Sequence, residues 1–243
     1  MKTKIYVVTV KSFHDRIAHM REQEARFGFE FEFLWPYDAA ELTGSDREGF
    51  RLPRDVSISS AKKHLLAQYR LMESGNDIAI VLEDDAILDA DFKSRISNLI
   101  PRLQDISGDW IVNLAGADSK LDDRFLDAQP NSLIERRIAT VEGYVINRSG
   151  AEKRLAEFET TGMDKAFDHW LQEVDEKLGI PHFWVAKPLM RQGSVSGEFS
   201  TVLDSSRAKK PSWFLNLRFK WNVLRRQTLP RFVHSIRRLM LGG

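Results

Sequence analysis

Apolar runs and amphipathic stretches alternate along most of the chain. Strands are predicted where the runs are continuous or alternate with polar residues, at 5–10, 29–35, 78–82, 110–114, 140–146 and 183–186. Helices are predicted at 16–27, from a cap at Ser59 or Ser60 to 73, at 90–103, at 149–158 with Ser149 as cap, and at 167–178. Segments 43–57, 116–131 and 188–203 read as loops, the last as a loop or hairpin. Strands separated by helices predict an α/β fold with a mainly parallel sheet flanked by helices.

The strand predicted at 78–82 runs directly into three carboxylates, Glu83, Asp84 and Asp85. A continuous apolar run is typical of a strand buried on both faces of a parallel sheet. Ligands of open α/β sheets bind at the carboxyl ends of such strands. Clustered carboxylates there suit Mg²⁺ or Mn²⁺, which in turn can hold a phosphate. One hypothesis is therefore a metal–nucleotide site, and the other is a strand that ends in a solvated acidic loop.

Several common chemistries lack their motifs in this sequence. The chain has no cysteine, which excludes disulfides and thiolate sites. It has no Walker-type glycine loop, no Gly-x-Gly-x-x-Gly after the first strand and no Gly-x-Ser-x-Gly, and its six histidines are not spaced as zinc ligands. No apolar stretch reaches the roughly 20 residues of a membrane span, and the short run near the start is predicted as a strand and not as a signal peptide. The remaining candidate chemistry is that of carboxylates, namely the triplet and a separate acid, Asp168.

Charge divides the chain into two parts. Residues 205–243 contain ten Lys and Arg and no Asp or Glu, which leaves a net charge of −9 on residues 1–204. No linker or repeat interrupts 1–204, so one catalytic domain followed by a basic tail is expected. Tryptophans, phenylalanines and leucines interleave with the cations of the tail. This pattern favours binding to an anionic membrane surface, with nucleic-acid binding and packing on the domain as the alternatives.

An ordered set of segments resembles glycosyltransferase family 25, the lipooligosaccharide galactosyltransferases of bacteria and their collagen-galactosylating relatives. In the first half, the matching pieces are the strand at 5–10 with the nearby Arg16, then His64, which lies nineteen residues before Glu83, and the acidic motif at 81–86. In the second half they are the segment 143–148, the acid Asp168, and 188–192, which begins with Pro188 and ends with Gln192. The resemblance covers roughly residues 4–200. The sequence departs from the family pattern at Lys63, at 60–61 and at 165–167, where the family has other residues.

The resemblance implies a GT-A fold and inverting transfer of a hexose, usually galactose, from a UDP-sugar to a saccharide of lipopolysaccharide or a similar glycan. It implies Mn²⁺ or Mg²⁺ as cofactor, with Asp85 as a direct ligand and Glu83 as a direct or water-mediated one. Asp84 is expected to accept a hydrogen bond from the ribose or the galactose of the sugar donor. Asp168 is expected to be the general base.

Further site residues are expected from their places in the sequence. Thr9, Arg16 and Asp38 follow strand ends in the half of the domain where the uridine should bind, and Tyr144 or Trp170 is expected to stack on a sugar face. The plainer alternatives are a solvated Asp168, an Arg16 that only pairs with an acidic helix face, and a His64 that only packs in the core.

Three function classes remain open from the sequence. The leading one is the metal-dependent glycosyltransferase. The others are a metal-dependent phosphohydrolase or nucleotidyltransferase, and a non-catalytic relative that binds nucleotide sugars. The expected partners are a UDP-sugar, a glycan or glycolipid acceptor and an anionic membrane contacted through 205–243, with no nucleic acid. The expected location is cytoplasmic, at the inner face of the cytoplasmic membrane.

Overall fold

The apolar runs form the centre of an α/β fold in the computed structural model, which describes residues 1–137, 140–200 and 209–241. The strands are β1 (Thr3–Val8), β2 (Phe31–Leu34), β3 (Ile78–Glu83), β4 (Ala86–Leu88), β5 (Ile111–Asn113), β6 (Leu133–Glu135), β7 (Gly143–Asn147), β8 (His182–Val185) and β9 (Met190–Gln192). The helices are α1 (His14–Phe27), α2 (Asp55–Glu73), α3 (Phe92–Leu103), α4 (Asp123–Leu126), α5 (Arg148–Thr161), α6 (Phe167–Leu178), α7 (Gly193–Ser196), α8 (Ser212–Val223) and α9 (Leu229–Leu241). Short 3₁₀ turns occupy Ala39–Glu41 and Ser45–Arg47.

Seven of the described strands form one sheet in the order β2-β1-β3-β7-β5-β8-β6. Parallel pairing joins β1 to both β2 and β3, and β5 to β8, whereas β7 and β6 run against their neighbours. Five strands of this sheet therefore share one direction, which confirms the predicted α/β class with a mainly parallel sheet flanked by helices. Strands β4 and β9 form a separate antiparallel pair.

Two apolar layers cover the faces of the sheet. On one face, β1 and β3 side chains such as Val7 and Leu82 pack with Phe27 of α1 and Leu99 of α3. On the other face, alternate residues of the same strands pack against α2, α5 and α6. Because β3 is covered on both sides, all of its apolar residues are buried. Burial on both faces explains why its sequence is a continuous apolar run.

Several predicted boundaries are corrected by the structure. Helix α2 begins at Asp55, so Ser59 and Ser60 lie inside the helix and cap nothing. Helix α5 is capped by Asn147, whose side chain accepts a hydrogen bond from the Gly150 N–H, and not by Ser149.

All three of the predicted loops contain regular structure. Segment 43–57 contains the 3₁₀ turn at Ser45–Arg47 and the start of α2. Segment 116–131 contains α4. Segment 188–203 is not a local hairpin, because β9 pairs with the distant β4 and is followed by α7, and residues 201–203 lie outside the described residues.

The described part of the tail is helical. Helix α8 continues through a π-helical turn at Leu224–Thr228 into α9. One side of these helices packs on the rest of the protein, since Leu215 is buried and Gln227 donates to the carbonyl groups of Gly116 and Ser119 at 2.9 and 3.1 Å. No helix of the described residues is long and apolar enough to cross a bilayer. The domain boundary expected at 204/205 falls within 201–208, outside the described residues, and stays a prediction.

Candidate functional site

The carboxyl ends of β1 and β3 bring the acidic triplet against the segment that follows β1. Val8 pairs with Glu83 in the parallel register, and the Asp84 N–H donates to the Val8 carbonyl at 3.0 Å. Thr9 therefore lies beside Asp84, although the two are far apart in the sequence. This convergence at strand ends is the arrangement in which α/β sheets bind ligands.

Asp84 is held by two partners. The Thr9 hydroxyl donates to one carboxylate oxygen at 2.9 Å, and the Arg16 guanidinium donates to the other at 2.6 Å. Burial raises the pKa of Asp84, although Arg16 and Thr9 act in the opposite direction. The Arg16 guanidinium also lies over the rings of Phe13 and Phe199, at 4.9 and 5.7 Å from their centroids, and donates to a backbone carbonyl, that of Ser200. Asp84 thus fixes the position of Arg16 in this structure, and each of its oxygens keeps capacity for a further hydrogen bond. Its expected contact with the sugar donor stays a prediction.

Asp85 has one satisfied and one unsatisfied carboxylate oxygen. The Ser194 N–H donates to Oδ2 at 3.0 Å, and the Gly193 N–H donates to the Asp85 backbone carbonyl at 2.8 Å. Oδ1 is buried and has no hydrogen-bond partner. Burial and the neighbouring charge of Glu83 raise the pKa of Asp85 to about 6. A buried acceptor without a partner costs about 1–3 kcal/mol, and this oxygen is available to a ligand.

Glu83 is positioned by residues from two other elements. The Gln192 amide at the end of β9 donates to Oε2 at 2.9 Å, and the His64 Nε2 atom on α2 lies 3.8 Å from Oε1. Burial raises the pKa of Glu83, but His64, Arg16 and Gln192 outweigh burial, and the net shift is downward. Glu83 is therefore held as a carboxylate next to Asp85.

His64 is buried and lies in an aromatic environment. Its Nδ1 atom is 3.2 Å from the Tyr144 hydroxyl, and its ring stacks on Phe167 at 4.7 Å. The Nε2 atom has no hydrogen-bond partner. Burial raises the pKa of Tyr144 well above its usual value, so Tyr144 stays neutral.

A second buried charge pair lies beside Thr9. The Lys63 ammonium contacts the Asp38 carboxylate at 2.5 Å and the backbone carbonyls of Thr9 and Leu34. The other Asp38 oxygen accepts the Lys11 N–H at 2.9 Å. Burial lowers the pKa of Lys63, whereas Asp38 acts to raise it. This pair joins the ends of β1 and β2 to the turn that begins after Asp38.

An open cavity of about 520 Å³ is bounded by these groups. Its walls come from the segment after β1, the 3₁₀ turn at Ala39–Glu41, one face of α2, the acidic triplet and the start of α7. The lining residues with polar side chains include Thr9, Lys11, Ser12, Arg16, Asp38, Glu41, Ser59, Ser60, Lys63, Glu83, Asp84, Asp85, Gln192 and Ser194. The cavity therefore has carboxylates at one end and basic groups beside them.

The structure brings six of the nine expected site residues to this cavity, namely Thr9, Arg16, Asp38, Glu83, Asp84 and Asp85. Asp168 is not among the lining residues and lies half-buried in the first turn of α6, where its carboxylate accepts the His169 N–H. Tyr144 and Trp170 are 0% and 3% exposed, and the Trp170 indole donates to the Gly162 carbonyl. Stacking on a sugar needs an open ring face, which neither ring has in this structure.

Lys63, Gln192 and Ser194 are site residues that the sequence reasoning did not assign. Ser194 acts through its backbone N–H, which no sequence pattern reveals. Lys63 did leave a signal, because the residues four positions before and after it on α2, Ser59 and Ala67, are small and buried. A lysine on the small, inward face of a helix indicates a buried partner.

The donor atoms fit a divalent cation that shares its coordination with a ligand. In the part of the chain that the structure describes, no three His, Asp or Glu side chains form a ready-made metal cage. Mg²⁺ in nucleotide sites, however, is usually held by one or two carboxylates together with substrate phosphates. Asp85, with its free oxygen, and Glu83 provide that type of donor set.

Comparisons with known proteins identify no family for the chain. No family model matches it, and no curated protein matches it. Galactosyltransferase LgtC, in complex with donor and acceptor sugar analogs, is similar over 74% of this chain and 72% of its own, with 16% identity and a TM-score of 0.43. A197 from STIV is similar over 78% and 83%, with 13% identity and a TM-score of 0.41. The inositol-1-phosphate CTP transferase from T. maritima is similar over 89% and 77%, with 10% identity and a TM-score of 0.37. These low values assign neither an activity nor a substrate.

Proposed function

We propose that this protein is a metal-dependent glycosyltransferase that moves a hexose, galactose in the first instance, from a UDP-sugar to a saccharide acceptor. The observation that carries the proposal is the unpartnered Asp85 Oδ1 beside Glu83, at the end of a cavity that Arg16 also lines. Carboxylates for a cation and a guanidinium for phosphate are the groups that a nucleotide diphosphate requires. The resemblance of 81–86 and the accompanying segments to glycosyltransferase family 25 supports the same assignment and suggests a GT-A fold and an acceptor in lipopolysaccharide or a similar glycan.

The binding roles follow from the contacts around the cavity. Asp85 and Glu83 would hold Mn²⁺ or Mg²⁺, which when bound supplies Lewis-acid stabilisation to the departing diphosphate. Arg16, oriented by Asp84, would contact the phosphates. Asp38 and Thr9, which also line the cavity, would contact the nucleoside.

Transfer with inversion breaks the bond between the sugar C1 and the diphosphate oxygen and forms a bond from C1 to the acceptor oxygen. The acceptor hydroxyl must lose its proton as it attacks, and we assign that proton to the Asp168 carboxylate. Asp168 is next to Phe167, whose ring stacks on the His64 that neighbours Glu83. Its contact with the acceptor is part of the proposal.

The first experiment is a thermal-shift series with nucleotide sugars in the presence and absence of Mn²⁺. UDP-galactose should raise the melting temperature of the wild-type protein only when the metal is present. Asp85→Asn should lose this response, whereas Asp105→Asn, an exposed acid after α3, should keep it. Indifference of the wild-type protein to every nucleotide sugar would refute the proposal.

The second experiment identifies the reaction by its products. Glycosyl transfer releases UDP, whereas nucleotidyl transfer to a sugar phosphate releases pyrophosphate, so an assay for both products separates the two enzyme classes. Asp168→Asn should lower kcat by about 10²-fold or more with little change in the UDP-galactose response. Asp164→Asn, an exposed acid just before α6, is the matched control. Binding without turnover in a wide acceptor panel would favour a non-catalytic protein.

A further inference from the structure

The tail helices have one strongly apolar face that nothing in the described structure covers. Trp213, Leu217 and Trp221 on α8 and Leu224 at the start of the π-helical turn follow one another at three- or four-residue spacing. This spacing places them on one side of the helix. Their exposed fractions are 68, 61, 58 and 39%. Helix α9 continues with exposed Leu229, Phe232, Val233, Leu239 and Met240.

The opposite side of the same helices is docked on the protein. The Asn216 amide donates to the Ser196 carbonyl at 3.1 Å, and the Arg226 guanidinium donates to the Asp118 carbonyl at 3.1 Å. Further along, the Arg231 guanidinium donates to the Ala186 carbonyl at 2.9 Å. The helices are therefore held by polar contacts on one side, and the large apolar side chains point away from the protein.

The charges that the tail itself contributes are all of one sign, whereas Asp127, outside the tail, pairs with His234 and Arg238 of α9. Lys209, Lys210, Arg218, Lys220 and Arg225 are exposed on or next to α8. No acidic residue occurs anywhere from 205 to the end of the chain. An apolar face bordered by cations is complementary to a surface that has an apolar interior and anionic groups at its boundary.

We propose that the exposed face of α8 and α9 is a docking surface for the interface of an anionic lipid bilayer. The tryptophan and leucine side chains enter the boundary between headgroups and acyl chains, while the lysines and arginines contact lipid phosphates. The helices then lie in the plane of the membrane. Because the opposite face of the helices is docked on the rest of the protein, the cavity would be held close to the same membrane.

The aliphatic content of the face favours lipid over nucleic acid. Nucleic-acid grooves combine cations with aromatic rings for base stacking. Aliphatic side chains have no role in stacking, but their transfer from water to acyl chains is favourable. The face contains five of them, Leu217, Leu224, Leu229, Leu239 and Met240. The composition of the whole face therefore matches a lipid membrane better than nucleic acid.

The test is sedimentation of the full chain with vesicles of phosphatidylcholine alone and of phosphatidylcholine mixed with phosphatidylglycerol. The wild-type protein should bind the anionic vesicles. The triple variant Trp213→Ser, Leu217→Ser, Trp221→Ser should bind them about a hundredfold more weakly. Trp35→Ser removes an exposed tryptophan from the end of β2 and should bind as the wild type does.

A second measurement does not depend on a variant. Fluorescence of the wild-type protein should be quenched by brominated acyl chains in anionic vesicles. Absence of quenching, or vesicle binding that survives the triple change, would overturn the proposal. Tight binding to single-stranded RNA with no affinity for vesicles would assign the face to nucleic acid instead.

The membrane proposal stands apart from the proposed enzyme activity. A protein that binds vesicles but no nucleotide sugar would retain the docking surface and lose the transferase assignment. If both hold, the docking surface would bring the cavity to acceptors that are embedded in the bilayer. The triple variant would then keep its turnover of a water-soluble acceptor and lose turnover of a vesicle-bound one.

Discussion

Replacing Lys63 by methionine tests whether the buried pair with Asp38 holds the cavity together. Lys63 is 1% exposed and Asp38 is 7% exposed, so either charge is poorly solvated when its partner is removed. Removal of one member of a buried pair costs about 3–5 kcal/mol, because the other charge remains uncompensated. Lys63→Met and Asp38→Asn are each expected to lower the free energy of unfolding by that amount.

The double variant distinguishes a charge effect from a packing effect. With both charges removed, the main remaining loss is the hydrogen bond to the Thr9 carbonyl, worth about 1–3 kcal/mol. The double variant should therefore be more stable than either single variant. Urea unfolding of the four proteins gives the coupling energy, which these magnitudes place at about 3 kcal/mol or more.

A matched control lies one residue earlier on α2. Lys62 pairs with Asp46 at 2.8 Å, but their side chains are 17 and 19% exposed. The same cycle made with Lys62→Met and Asp46→Asn should give a coupling energy of about 1 kcal/mol or less. Additive losses at Lys63 and Asp38, or equal coupling in the two cycles, would refute the reasoning.

Three further predictions concern other parts of the molecule. Burial alone raises the pKa of Asp175, but Arg154 and His182 hold it below its usual value. The stabilisation that the ionised Asp175 gives to the folded state is therefore present above about pH 4. It is lost as the pH falls through the pKa of Asp175 in the folded protein. Asp175→Asn should lower the urea midpoint at neutral pH and flatten its dependence on pH below 4. Gly197→Ala should raise hydrogen exchange in α8, because Gly197 has a φ of +87° and an added Cβ would lie 2.5 Å from a backbone oxygen of that helix; unchanged exchange would contradict this contact. Arg16→Gln should weaken UDP binding roughly tenfold in calorimetry, whereas the exposed Arg21→Gln on the same helix should not.

The parts of the fold that depend on local pattern were predictable from the sequence. The apolar run of β3 and the carboxylates that follow it identified both the buried strand and the acidic end of the cavity. The segment at Thr9 and Arg16 was predicted on the same basis, because parallel strands place their carboxyl ends together. Hydrophobic periodicity was enough for α1, α3 and α6 within a few residues.

Features that depend on contacts between distant segments were not predictable. The pairing of β9 with β4 leaves no mark in either short segment, and the backbone donor at Ser194 is independent of its side chain. Tyr144 and Trp170 illustrate a different limit. An aromatic residue beside a motif suggests a ligand contact, yet the same residue on the inward side of its strand or helix belongs to the core. Only packing distinguishes the two cases.

The π-helical turn at Leu224–Thr228 sets the rotational phase between α8 and α9. In an uninterrupted α-helix, Leu224 and Leu229 would lie roughly 140° apart around the axis. A π turn takes up about one residue more than an α turn, which reduces that angle to roughly 40°. The apolar stripes of α8 and α9 consequently face the same way. The number of residues in this turn, more than their identity, decides whether the tail presents one flat surface or two divergent ones.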